Sequence, residues 1–167
     1  MDNRFLGAAL AALTMAGSAN AADNTIRISQ DIQYRSDAVG GALIRAECDW
    51  GRDLSASIVR NAHGAVEATE ADLSTLPGRT LHIVITKAHA AGGGAVSGPK
   101  WGRIYGELKQ DGAVVGNFTL KRTTNRPFTF RACTTLTQIA DKLGEDVAGW
   151  LRNPTLDPAM NVERASQ

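Results

Sequence analysis

The chain has 167 residues, of which 43% are hydrophobic and 21% charged, and its 18 basic and 17 acidic side chains leave a formal net charge of +1. That balance excludes a general polyanion binder, because nucleic-acid proteins concentrate Lys and Arg to displace counterions from phosphates. A chain of this length buries about two thirds of its unfolded surface in one core, so one domain suffices.

Arg4 and the amino terminus supply a positive start, Phe5 to Ala16 an uncharged apolar run, and Gly17-Ser18-Ala19-Asn20-Ala21 a stretch of mostly small residues. Those three parts in that order make an export signal. Ala19 and Ala21 meet the need for small side chains before the cut, which predicts cleavage between Ala21 and Ala22. As a helix the apolar run rises only about 18 Å, well short of a hydrocarbon core of about 30 Å, so it is too short to anchor the chain. No cysteine precedes Cys48, which argues against a lipid anchor, and no later segment is apolar for long enough to span a membrane. The expectation is a periplasmic or secreted protein with a signal at residues 1–21, one domain at 22–153 and a loose tail at 154–167.

Cys48 and Cys133 are the two cysteines. In an oxidising compartment an even count reads as a disulfide. Thioredoxin-like chemistry needs both thiols within one Cys-x-x-Cys turn, and this spacing excludes it. His63, His82 and His89 lack the short spacings of a local zinc site, so neither a metal nor a cofactor is expected.

Along the chain, Ile26, Ile28, Ile32 and Tyr34 alternate with polar residues, which predicts a strand over about 24–34. Residues 42–48 fit a helix or an extended stretch. Trp50, Leu54 and Ile58 recur every four residues after Asp49, a competent N-cap, with Val59 and Ala62 widening the stripe of a first helix. Residues 63–78 read as loop with a short extended piece at 66–68. Leu81, Ile83 and Ile85 alternate in a second strand, and Gly92-Gly93-Gly94 and Ser97-Gly98-Pro99 mark a small-residue loop.

Residues 100–109 and 113–122 form two strand-like runs around Gln110-Asp111-Gly112, a hairpin signal. A three-residue loop with Gly112 left-handed pairs Leu108 with Val114 and Ile104 with Phe118. It also sets Gly106 opposite Gly116 as a trough that a helix can approach. The opposite face then carries Trp101, Arg103, Tyr105 and Glu107 beside Val115, Asn117, Thr119 and Lys121. Phe128 and Phe130 alternate before Cys133 as core candidates.

Leu136, Ile139, Ala140, Leu143, Val147, Trp150 and Leu151 make a continuous helical stripe, with Thr135 and Gln138 as a capping box and Asn153-Pro154 as the stop. Each cysteine precedes a helix start. Two helices side by side and pointing the same way on one sheet face therefore let the disulfide staple their N-termini, with Cα atoms within about 7 Å. The fold class is α+β: a four-stranded, mostly antiparallel sheet in the order β-α-β-β-β-α, with two helices on one face.

Catalytic motifs are missing. Gly93 and Gly98 have P-loop spacing, but Pro99, Lys100 and a strand follow where a phosphate-cradling helix is needed. Ser97 lacks a nucleophile elbow. Asp141, Glu145 and Asp146 read as the wet face of the second helix, and Asn117-Phe118-Thr119, a glycosylation sequon, lies in a strand of a chain with a bacterial-type signal.

Taken in order, with the second helix ending at Trp150-Leu151-Arg152-Asn153-Pro154, residues 24–153 resemble small exported α/β domains of bacteria, of the TolB amino-terminal type and the auxiliary proteins of envelope transport systems. The resemblance implies a small sheet with helices on one side and transfers no functional residue. The expected function is a non-enzymatic envelope module that contacts another envelope protein and no nucleic acid. Its candidate contact surface is Gly93, Gly94, Lys100, Trp101, Arg103 and Tyr105. A secreted inhibitor or immunity protein that plugs a hydrolase with the glycine-rich loop is the alternative, and a small periplasmic enzyme the third reading.

Overall fold

The structure, a computed structural model, describes residues 24–35, 46–90, 99–124 and 132–157. The expected export signal, the glycine run with Gly93 and Gly94, and Phe128 and Phe130 lie outside the described residues.

Strand β1 (Ile26–Ser29) is followed by helix α1 (Trp50–Asn61) and strand β2 (Val66–Thr69). A 3-10 turn at Leu73–Thr75 leads to β3 (Arg79–His89), β4 (Lys100–Gln110), β5 (Ala113–Thr124) and helix α2 (Ala132–Leu151). The sheet order is β2-β1-β3-β4-β5. β1 pairs in parallel with both β2 and β3, whereas β3, β4 and β5 are antiparallel neighbours. The α+β class thus holds, but the sheet is mixed and five-stranded. The expected four-stranded sheet lacked β2, whose single buried residue, Val66, leaves no alternation to read. β2 is an edge strand joined to β1 through α1, the crossover that parallel neighbours require.

Ile26, Ile28 and Ile32 are buried as their alternation predicts, although the ladder ends at Ser29 and the chain rejoins β3 through a single bridge from Tyr34 to Ile85. The stripes of both helices are borne out. Trp50, Leu54 and Ile58 of α1 and Leu136, Ala140, Leu143 and Val147 of α2 are fully buried in one cluster with the inner strand residues. At roughly 1.5–3 kcal/mol per large apolar side chain, this layer between sheet and helices dominates the stability.

The helix caps differ from expectation. Asp49 makes no side-chain capping bond. Thr135 sits inside α2, fully buried, because the helix starts at Ala132 and leaves no orphan amide for a capping box at Thr135.

Cys48 and Cys133 form the disulfide, with Cα atoms 5.3 Å apart. From there the helices run parallel, contact by contact. The Trp50 indole donates to the Leu136 carbonyl (2.8 Å), the Thr137 hydroxyl bonds the Asp53 carboxylate (2.6 Å), and Arg60 pairs with Asp141 (2.7 Å). The Ser57 hydroxyl donates to the Asp141 carbonyl, where the missing side chain of Gly144 lets the two backbones close up. The sulfur bridge therefore staples two neighbouring helix starts.

The hairpin register departs from the sequence reading. Asp111 and Gly112, both at positive φ, make a two-residue turn that pairs Gln110 with Ala113. A bulge then follows, and the pairing resumes as Leu108 with Gly116, Gly106 with Phe118 and Ile104 with Leu120. The bulge pushes Val115 out to 44% exposure and absorbs the parity conflict that a two-residue turn creates. Strand partners shift, so Gly106 does not face Gly116, and Val114, expected beside Leu108 on the helix side, pairs with Lys109 on the opposite face; Phe118 and Leu120 keep the expected side. The Phe118 ring fills the space over Gly106, and Trp150 covers Gly116.

The expected loose tail is partly tied down. The Asn117 amide donates to the Thr155 carbonyl (2.9 Å), and the Asn117 side chain exchanges two bonds with the Asp157 backbone (3.0 and 2.8 Å). These contacts occupy the outer edge of β5 beside its bulge, where an unpaired strand is otherwise open to pairing with another chain.

Candidate functional site

Both helices lie on one side of the sheet. A side chain at Gly102 would strike Trp50 of α1 and Ile139 of α2, so Gly102, Ile104, Gly106 and Leu108 face the helices. Trp101, Arg103, Tyr105 and Glu107 therefore point to the opposite face, as their alternation predicts. No described helix covers that face.

Pairing across β3, β4 and β5 arranges this open face in rows. One row is His89, Trp101 and Thr123; the next is Lys87, Arg103 and Lys121; then come Val84, Tyr105 and Thr119, then His82, Glu107 and Asn117, and finally Thr80, Lys109 and Val114. His89 stacks on Trp101 with ring centroids 5.8 Å apart and planes 22° apart, and Lys121 Nζ lies 4.8 Å from the centroid of the Trp101 ring. The indole is thus held between a histidine and a cation. The Tyr105 hydroxyl donates to Glu107 (2.7 Å), a carboxylate that is nearly buried and lies 3.9 Å from Lys109.

Of the residues expected to form a contact surface, Trp101, Arg103 and Tyr105 come together here, half-buried on adjacent turns of one pleat. Lys100 does not join them. It is in phase with Gly102 and Ile104 and only 4% exposed. Gly93 and Gly94 lie outside the described residues.

Sequence reasoning missed Lys87. Regular alternation from Leu81 places it on the helix side, but β3 has an irregularity between Ile85 and Lys87 that reverses the phase at Thr86. Lys87 moves to the open face opposite Arg103, and Ala88 turns inward. Nothing in the composition of this stretch marks the bulge.

At the far end of the open face a cavity of about 500 Å³ is lined by Leu73, Pro77, Thr80, His82 and Lys109 among others. His82 Nε2 is buried there without a hydrogen-bond partner among the described residues. Burial, and then the Lys109 charge, hold the imidazole pKa below its ordinary 6.5. The unfolded chain therefore takes up this proton at higher pH than the folded chain does. Stability is fully present above about pH 6.5 and falls with pH through the window down to the lowered folded value. His82→Gln is expected to shrink the drop in urea midpoint between about pH 7.5 and pH 5, and an unchanged drop would show that His82 is not the group responsible.

No described helix is long and apolar enough to cross a membrane, and no group of three or more His, Cys, Asp or Glu among the described residues is placed to hold a metal.

No family model matches the chain, and no curated protein matches it in sequence. Solved structures do. An uncharacterised protein known from a crystal structure is 11% identical, with a TM-score of 0.50 over 77% of this chain and 92% of its own. PelC from Paraburkholderia phytofirmans, solved as a dodecamer, is 17% identical with a TM-score of 0.48 over 73% of this chain and 86% of its own. A DUF330 protein from Xanthomonas campestris is 14% identical with a TM-score of 0.42 over 76% and 82%. At such identities the likeness of the uncharacterised protein to this chain is one of fold alone.

Proposed function

We propose that this chain is an exported, non-enzymatic module of the bacterial envelope that docks a partner protein on the helix-free face of its sheet. The resemblance to small exported domains of the TolB amino-terminal type belongs to the same reading. The observation that carries it is the clustering of half-buried Trp101, Arg103 and Tyr105 on the one broad face that no described helix covers. Tyr, Trp and Arg are the side chains that dominate protein-binding hot spots. The export signal and the Cys48–Cys133 disulfide support an oxidising compartment outside the cytoplasm.

A photo-reactive amino acid placed at Thr119 on the open face, or at Gln138 on the exposed side of α2, tests the reading in intact cells. Thr119 is expected to yield a discrete cross-linked species that Trp101→Ala with Tyr105→Ala removes, and Gln138 none. Adducts from Gln138 with none from Thr119 would move the working surface to the helices.

A further inference from the structure

Lys87, Arg103 and Lys121 stand side by side across three neighbouring strands. Strands lie about 4.8 Å apart, so three positive charges occupy roughly 10 Å. Like charges directly opposite one another on a sheet are destabilising, and folded chains usually break up such rows. Several charges elsewhere among the described residues are matched. Arg60 pairs with Asp141, Arg122 with Asp146 in a two-pronged contact, Lys142 with Glu145, and Lys109 approaches Glu107. Arg27 stands opposite Glu67. In the row, by contrast, neither flanking row offers an acid. The nearest carboxylate on the same strand, Glu107, is engaged by Tyr105 and Lys109.

Resting on the docking surface described above, we infer that this row recognises an acidic segment of a partner protein, whose carboxylates bind the Arg103 guanidinium at the centre and the two lysines beside it. A guanidinium presents a planar fork that fits a carboxylate in two-pronged fashion, which a lysine ammonium does not. Acidic side chains three or four residues apart on a helix stand about 5–6 Å apart, close to the spacing of adjacent strands. The Trp101 ring under Lys121 fixes one end of the row. Val84 and Tyr105 in the next row add the apolar surroundings of a protein contact. A nucleic acid would need a longer basic track than three residues, since its affinity accumulates over many phosphates.

The test is fluorescence anisotropy of the oxidised chain with a labelled polyglutamate peptide of about ten residues, a matched polyglutamine peptide, and phosphatidylglycerol vesicles. Salt is varied from about 20 to 300 mM, over which the screening length falls severalfold. Expected are binding to polyglutamate that weakens with salt, none to polyglutamine, and a loss of about tenfold or more with Arg103→Gln. Lys87→Gln and Lys121→Gln each lose less. Arg103→Gln is also expected to melt no lower than the parent, because it relieves repulsion within the row. Equal binding of both peptides, undiminished binding by Arg103→Gln, or binding to the vesicles alone would overturn the inference. If the Thr119 cross-link captures a partner with no acidic segment at the contact, the docking surface stands and this inference fails alone.

Discussion

Replacing Cys48 and Cys133 together by serine is expected to destabilise the fold by about 4–5 kcal/mol, the upper figure for closing a loop of this size. The bridge closes a segment with a sequence separation of 85, which contains α1 and all of β2 to β5. The loss arises mainly in the unfolded chain, where opening the loop releases conformational freedom. The native contacts that follow the bridge along both helices, Trp50 to Leu136 and Asp53 to Thr137, remain available. Urea unfolding of the oxidised parent, the reduced parent and the double serine variant checks this. The last two are expected to coincide at a much lower midpoint. A double serine variant within about 1 kcal/mol of the oxidised parent would show that the bridge adds little.

Trp50→Ala is the second large expected loss, about 3–5 kcal/mol for an aromatic side chain removed from a core. Trp50 is fully buried below the disulfide, where α1, α2 and β4 meet. Its ring occupies the space left by the missing side chain of Gly102, tilts against Tyr34 at 6.3 Å, and its indole nitrogen is satisfied by the Leu136 carbonyl. Trp50→Phe keeps most of the packing and removes the donor, so it is expected to cost markedly less, with about 1 kcal/mol assigned to the hydrogen bond. If the two variants melt together, the hydrogen bond rather than the ring fills the structural role.

Residues that follow one period were legible in the sequence. The helical stripes of Trp50, Leu54 and Ile58 and of Leu136 to Val147, the alternation of β3 and β4, and the bridging of two helix starts are all present in the structure. Each depends on a face being buried, and burial imprints its period on residue type. Irregularities left no such imprint. The bulge at Val115 altered strand partners and turned Val114 to the open face, and the bulge at Thr86 turned Lys87 around. β2 stayed hidden because an edge strand with one buried residue has no pattern. The candidate site was half legible for the same reason. Trp101, Arg103 and Tyr105 follow the β4 alternation, whereas the charge row needed a sheet order and two bulges that no single segment encodes.

Amide chemical-shift mapping of the oxidised chain during titration with the polyglutamate peptide tests most directly that the helix-free face is the binding surface. The perturbed amides are expected to cluster at Lys87, Arg103, Tyr105 and Lys121. Perturbations confined to the groove between α2 and β5, around Arg60, Gln138 and Lys142, would contradict it.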